Sequence, residues 1–308
     1  MSPEPDEASS HDLLRFADAA MYRAKENGGT SFHLFREHED YGVTHQLHRE
    51  NELRRALDED QLEVYYQPVV DLETESLDGV EALVRWNHPE RGLLSPPQFI
   101  DLAESTGLIV RPGADVLRKA VRTVQAWRGD LIASESRFLL TVNLSARQCS
   151  ETDLARRVRA ILEETGLPAA SLGLEITESV AVQERTAIDQ LQELGVRLSI
   201  DDFGTGYSSL RYLRRIAADE LKIDRSFVSG IDERPRERAI VRAVILMASE
   251  LGMDTVAEGL ERRREVDIVR EFGCRYGQGY VFGRPMPASE LEERLRSTAD
   301  VTAEARGE

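Results

Sequence analysis

The sequence predicts a parallel α/β barrel, and three observations carry that prediction. From Gln61 onward, short apolar runs rich in Val, Ile and Leu alternate with amphipathic segments of helical length, the rhythm of a parallel sheet covered by helices. At 308 residues the chain has room for one domain of barrel size, with ample apolar content for its core. No glycine-rich phosphate loop follows an early strand, which disfavours the open doubly wound sheet that is the alternative.

In chain order, Leu13–Gly28 has an amphipathic helix pattern closed by glycines, and Ser31–Phe35 reads as a short strand. One helix and one strand cannot bury a core, so residues 1–36 read as the tail of a larger unit. The charged stretch 37–60 predicts a connecting helix with Leu47, Leu53 and Leu57 along one face. His45 and His48, and His11 before them, have no ligand partners at metal spacing and read as surface residues. Leu62–Leu72 and Leu77–Trp86, separated by a short polar turn, read as a hairpin, followed by helices over 97–105 and 114–127. Regular strand–helix units then follow: strand 137–145 with helix 151–165, strand 172–179 with helix 184–194, and strand 196–202 with helix 208–216. Three more complete the series: strand 220–224 with helix 236–251, strand 254–259 with helix 261–272, and strand 275–282 with helix 288–297. The organisation expected is a remnant over 1–36, a linker helix over 37–51, the barrel over 52–297 and a polar tail over 298–308.

A formal net charge of −17 argues against a surface for nucleic acid polymers or anionic lipid, since both need a basic patch. A small anionic ligand is compatible with it if cations supply positive charge. Cys149 and Cys274 are too few for a disulfide framework and not spaced as a metal knuckle, which points to a reducing cytosol. No apolar run approaches membrane-spanning length, and the polar start lacks the core of a signal peptide, so no membrane contact is expected from this segment.

In a parallel barrel the functional groups gather at the carboxyl ends of the strands. Here those ends carry Glu81 with Arg85, Asn143, Glu175 with Glu178, Asp201 with Asp202, Lys222 with Asp224, Glu258, and Gln278. Each alone has a structural explanation: Asn143 could cap a helix, Glu178 could begin one, and Lys222 could reach the surface. Together they would repel one another unless cations joined them. Carboxylates and an amide, with no histidine or thiol, select hard ions such as Mg²⁺ or Mn²⁺ over Zn²⁺. The adjacent carboxylates of VRLSIDDFGTGYSS, Val196–Ser209, are placed to bridge two ions about 3.5–4 Å apart, a spacing used to activate water against a phosphoester. Gly204 and Gly206 provide the turn after them. Lys222 would add charge beside the reacting phosphate, and Arg85 offers it a fork.

These residues stand in segments that resemble the EAL family of cyclic di-GMP phosphodiesterases from about Glu52 to about Leu295. The matching segments are YYQPVVDL, EALVRW, VNLSARQ, LEITES, IDDFGTGYSSLRYL, LKIDRSFV, VAEGLE and GCRYGQGYVFGRPMP. Their number and order make the match specific. Upstream, Ala17–Lys25 resembles the last helix of a GGDEF (diguanylate cyclase) domain, without that domain's catalytic turn, so no cyclase activity is expected.

The resemblance implies a TIM-like (β/α)8 barrel with one antiparallel strand, in agreement with the hairpin. It implies that Glu81, Asn143, Glu175 and Asp201 hold one Mg²⁺ or Mn²⁺ ion, and that Asp201, Asp202 and Glu258 hold a second, with Asp201 the bridge. Lys222 would orient the attacking water, with Glu258 a base or metal ligand and Gln278 a polar support. Gln67, Leu83 and Arg85 would contact the nucleotide, while Glu178 would hold the loop from Asp202 to Ser209. The activity implied is hydrolysis of cyclic di-GMP to linear pGpG by a metal-activated water. A silent cyclic di-GMP sensor is the alternative, and the full set of site residues favours the enzyme. A homodimer through the loop after Asp202 and the helix near 208–215 is the partner expected besides the nucleotide.

Overall fold

The computed structural model describes residues 37–132, 138–204 and 216–306. The strands are β1 (Leu62–Asp71), β2 (Leu77–His88), β3 (Gly92–Leu94), β4 (Leu139–Asn143), β5 (Leu172–Thr177), β6 (Arg197–Phe203), β7 (Glu220–Ile223), β8 (Asp254–Ala257), β9 (Tyr276–Gln278) and β10 (Met286–Pro287). The helices are α1 (Glu37–Asp58), α2 (Ile100–Thr106), α3 (Val110–Asp130), α4 (Ala146–Cys149), α5 (Leu154–Thr165) and α6 (Glu178–Gln183). They continue with α7 (Arg185–Glu193), α8 (Arg225–Val228), α9 (Pro235–Glu250), α10 (Arg263–Glu271) and α11 (Ala288–Arg306).

The strand order β1-β9-β8-β7-β6-β5-β4-β2 closes on itself through the β1–β2 pairing, giving an eight-stranded barrel. Strand β1 runs antiparallel to both its neighbours, and the other ring pairings are parallel. The hairpin expected from the polar turn is this β1–β2 pair, in register from Leu62 opposite Trp86 to Val69 opposite Gly79, with a one-residue shift before Val70 opposite Leu77. Strand β9 is shorter than the 275–282 run suggests. It ends at Gln278, and the next residue must be glycine, since a Cβ on Gly279 would lie 2.1 Å from the Leu260 carbonyl oxygen.

The main core lies between the outer faces of the strands and the helices, with Leu140, Leu172, Leu174, Leu198, Ile200 and Leu221 among its buried members. A second cluster joins Leu53 and Ala56 of α1 to Trp86, Leu94, Phe99, Leu102 and Ile109. It docks α1 on the barrel wall. Glu52 of that helix reaches Arg91 at 2.9 Å and the buried His88 at 3.4 Å. The Nδ1 atom of His88 accepts from the backbone N–H groups of Glu90 and Arg91. His48 is exposed, as a surface residue should be, while His11 and His45 fall where no side chain is described. Cys149 and Cys274 are free, buried thiols.

The segment between β8 and α10 is fixed by one buried carboxylate. Glu265, 1% exposed, accepts from the backbone N–H groups of Gly230, Glu261 and Arg262, each at 2.9 Å, and from the Arg262 guanidinium. Burial pushes its pKa up, and these donors outweigh burial and hold it below the usual carboxylate range. Glu265→Ala is expected to cost about 2–4 kcal/mol of stability, because three backbone N–H groups and the Arg262 guanidinium lose their shared acceptor. The carboxylate's contribution is full above the unfolded-state pKa of about 4.3 and is lost as pH falls through the lower native value. Urea unfolding at several pH values checks this: the gap between the unmodified chain and Glu265→Gln should narrow below about pH 4.

Candidate active site

The carboxyl ends of the parallel strands open into a cavity of about 820 Å³ lined by Gln67, Glu81, Leu83, Asp201, Asp202, Lys222, Glu258 and Gln278, among others. Strand alternation places Glu81 and Leu83 of β2 on the same inward face. Asp201 and Asp202 reach one space in spite of alternation because the β6–β7 register shifts between Ile200 and Phe203. Asp202 adopts φ 53°, and its backbone N–H donates to Asp201 Oδ1 at 2.9 Å. Gly204 then turns the chain at φ 97°, where a Cβ would press on the Phe227 ring at 2.9 Å. The rest of the Val196–Ser209 stretch lies outside the described residues.

Lys222 is the centre of the cluster. It is 2% exposed, and its Nζ lies 2.6 Å from Glu258 Oε1 and 2.7 Å from Glu175 Oε2, with Asp201 and Glu81 further off at 3.7 and 3.6 Å. Burial alone would lower its pKa, but the surrounding carboxylates hold the ammonium well above its usual value. Glu81 is fixed by two amides: Asn143 Nδ2 donates to its Oε1 at 2.7 Å and Gln278 Nε2 to its Oε2 at 2.5 Å. Gln278 Nε2 also lies 3.1 Å from Gln67 Oε1, and Gln67 donates in turn to the Gly283 carbonyl.

The acidic groups respond differently to this crowding. Burial pushes Glu81 up, but the Lys222 charge and the two amide donors overcome it and hold Glu81 below the usual range. Burial and then the Glu81 charge carry Glu175 well above its ordinary value, against the opposing ammonium. Burial lifts Glu258 to about 8, with Asp201 and Glu81 adding to the rise and Lys222 opposing it. Asp202 is raised by burial and by the charges of Asp201 and Asp224.

Among the described residues no three carboxylates close on a single point at ligand distance, as Lys222 draws Glu175 and Glu258 to itself. The donor chemistry nevertheless fits hard divalent ions. Glu81, Glu175, Asp201 and Glu258 present oxygen donors around one ammonium, with Asp202 lining the same mouth and the Asn143 amide beside Glu81, and none of the described lining residues offers imidazole or thiolate.

Arg85 and Glu178 are not among the described residues that line this cavity. Arg85 shares the alternation of Glu81 but lies over the Tyr65 ring, 5.6 Å from its centroid, and donates to the Val84 carbonyl. Glu178 opens α6 directly after β5. The mouth also contains residues that motif reading did not single out. Arg225, Ser226, Ser229 and Arg234 line it from the segment after β7, and Pro97 lines it from the segment after β3. Tyr280, 49% exposed, comes over the mouth where the chain leaves β9, with the Arg284 guanidinium 4.0 Å from its ring centroid. The glycines around it, Gly277 and Gly279, were the available signal that the strand is interrupted.

Buried carboxylates, amides and one lysine thus converge at the strand ends of an eight-stranded α/β barrel. Residues 50–285 match the family described as EAL domain, and the chain belongs to that family. It is 42% identical over 296 residues to the cyclic di-GMP phosphodiesterase NbdA of Pseudomonas aeruginosa, a match covering 95% of this chain and 37% of that protein. It is also 42% identical over 290 residues to the bifunctional diguanylate cyclase/cyclic di-GMP phosphodiesterase MucR of the same organism, covering 93% and 42%. The chain thus spans about two fifths of the length of these curated relatives. Among solved structures, the PaMucR phosphodiesterase in complex with c-di-GMP superposes with a TM-score of 0.75 at 42% identity, covering 80% of this chain and 99% of that one.

Proposed function

We propose that the chain hydrolyses cyclic di-GMP to linear pGpG in bacterial second-messenger signalling. The observation that carries this reading is the ring of Glu81, Glu175, Asp201 and Glu258 around the buried Lys222 ammonium at the carboxyl mouth of the barrel. In the reaction a water oxygen bonds to one phosphorus, the bond from that phosphorus to a ribose 3′ oxygen breaks, and the 3′ oxygen takes a proton.

Glu81, Asn143, Glu175 and Asp201 would hold one Mg²⁺ or Mn²⁺ ion, and Asp201, Asp202 and Glu258 a second. When bound, the ions supply an activated water and neutralise charge on the phosphate. Lys222 orients the attacking water and adds fixed positive charge in a site it need not reorganise. Glu258, beside Lys222, is placed to receive the water's proton. Gln278 and Gln67 keep Glu81 in one orientation through their amide chain. Leu83, Gln67 and Arg85 would contact the nucleotide, and the exposed face of Tyr280 offers a guanine a stacking surface.

With this reading go a cytosolic location, a homodimer through the chain after Asp202, and the division into a cyclase-like remnant (1–36), linker helix (37–51), barrel (52–297) and polar tail (298–308). No helix among the described residues is long and apolar enough to cross a membrane. The metal part of the proposal is tested by chelation: excess EDTA should abolish pGpG formation and added Mn²⁺ should restore it. Turnover that persists after exhaustive chelation would remove the ions from the mechanism. Glu178 is assigned to positioning the loop after Asp202. Glu178→Ala should lower kcat by about 10–100-fold with circular dichroism unchanged, and full activity would show the loop is held otherwise.

A further inference from the structure

Beneath the ring of carboxylates the barrel holds a second polar layer that the proposed reaction does not use. Residues two positions back along a strand face the same interior, so Thr141 lies below Asn143, Ser199 below Asp201 and Glu220 below Lys222. All are buried, at 5%, 2% and 4% exposure. Ser199 Oγ donates to Glu220 Oε1 at 3.1 Å.

At the level of this layer, reaching up to the site, is a small cavity whose wall includes Thr141, Glu175, Glu220, Lys222, Tyr276 and Gln278. It offers about 10 Å³ to the centre of a water-sized sphere, room for a single water molecule. Two polar atoms of its lining side chains, Thr141 Oγ1 and Gln278 Oε1, are buried with no hydrogen-bond partner among the described residues. The Thr141 methyl is committed elsewhere: a Cβ on Gly173 would come within 2.8 Å of it, so that glycine makes the seat for the methyl. The hydroxyl is left for the cavity.

We infer that this cavity is an internal water site. One water accepts from the Thr141 hydroxyl and donates to Gln278 Oε1 and to a carboxylate oxygen of Glu175 or Glu220, which gives both orphaned atoms a partner. A divalent cation does not fit as well, because Val69, Leu139 and Val256 form part of the wall and leave too few oxygens for its coordination shell. Lys222 and Gln278 line both this cavity and the mouth, so the water sits directly behind groups that the proposed hydrolysis depends on. Thr141 is thereby a positioning residue for Glu175 and Lys222, a role that rests on the function proposed above. The water site itself does not.

The test is a crystal structure at high resolution of the unmodified chain and of two variants, Thr141→Val and Thr141→Ser. A water about 2.5–3.0 Å from Thr141 Oγ1 is expected in the unmodified chain and in Thr141→Ser, and its absence in Thr141→Val. An ordered site with no water, a metal ion in the cavity, or a water unmoved in Thr141→Val would overturn the inference. Should Thr141→Val fail to fold, the density in the unmodified chain alone decides. For positioning, Thr141→Val should lower kcat about 10-fold with KM little changed, and Thr141→Ser should restore it. Equal kcat in all three would cancel the positioning role. An inactive protein with the water in place would contradict the proposed hydrolysis and leave the water site standing.

Discussion

Replacing Lys222 with methionine is expected to lower kcat on cyclic di-GMP by about 10²–10³-fold, the cost of losing one fixed charge aimed at a reacting phosphate. The same change should destabilise the metal-free protein by about 3–5 kcal/mol, since Glu175 and Glu258 would keep their buried carboxyl groups without the ammonium that lies 2.7 and 2.6 Å from them. Methionine fills nearly the same space, so the loss is electrostatic more than steric. The two effects separate in one experiment: unfolding temperature and turnover measured with and without Mn²⁺. Divalent ions should restore stability to Lys222→Met, by supplying the positive charge, without restoring the rate. A variant that is stable without metal would mean that the carboxylates do not depend on Lys222.

Glu81→Ala is expected to reduce turnover by about 10³-fold or more, because it removes an oxygen donor for the ions that activate the water. Its effect on stability should run differently. Losing Glu81 takes away the charge that, after burial, most raises Glu175, and it leaves the ammonium with Glu175 and Glu258. The cost is that Asn143 and Gln278 lose their shared acceptor. These contributions oppose each other, and the unfolding temperature should move by less than about 4 °C. Thus Glu81→Ala should be inactive and nearly as stable as the unmodified chain, where Lys222→Met is inactive and fragile. Turnover within tenfold of the unmodified chain would place the reaction at another part of the mouth.

The contrast shows what local pattern can and cannot convey. The β1–β2 hairpin was legible because a polar turn separates two apolar runs, and Glu81, Asn143, Asp201 and Lys222 were legible because each follows an apolar run that a barrel must bury. The EALVRW segment also marked Arg85 as a fork for phosphate. Its position over the Tyr65 ring is a contact between neighbouring strands that no spacing in one strand reveals. The register shift that lets Asp201 and Asp202 share a space depends on how β7 pairs, which is equally invisible in the run itself. Tyr280 was hidden inside what reads as a continuous strand, and the close approach of Gly279 to Leu260, which no single run reveals, lies just before it. The most consequential feature left unread was the position of Lys222 within the ring: charge type predicts attraction, but only the folded barrel places one ammonium among carboxylates from four other strand ends.

The central claim is that this ring performs phosphodiester hydrolysis and does not merely bind the nucleotide. Incubating the purified chain with cyclic di-GMP and Mg²⁺ or Mn²⁺, and resolving the nucleotides by chromatography, tests it most directly. Cyclic di-GMP should disappear with matching appearance of linear pGpG. Tight binding with the cyclic dinucleotide recovered intact under every metal condition would contradict it and make the chain a sensor.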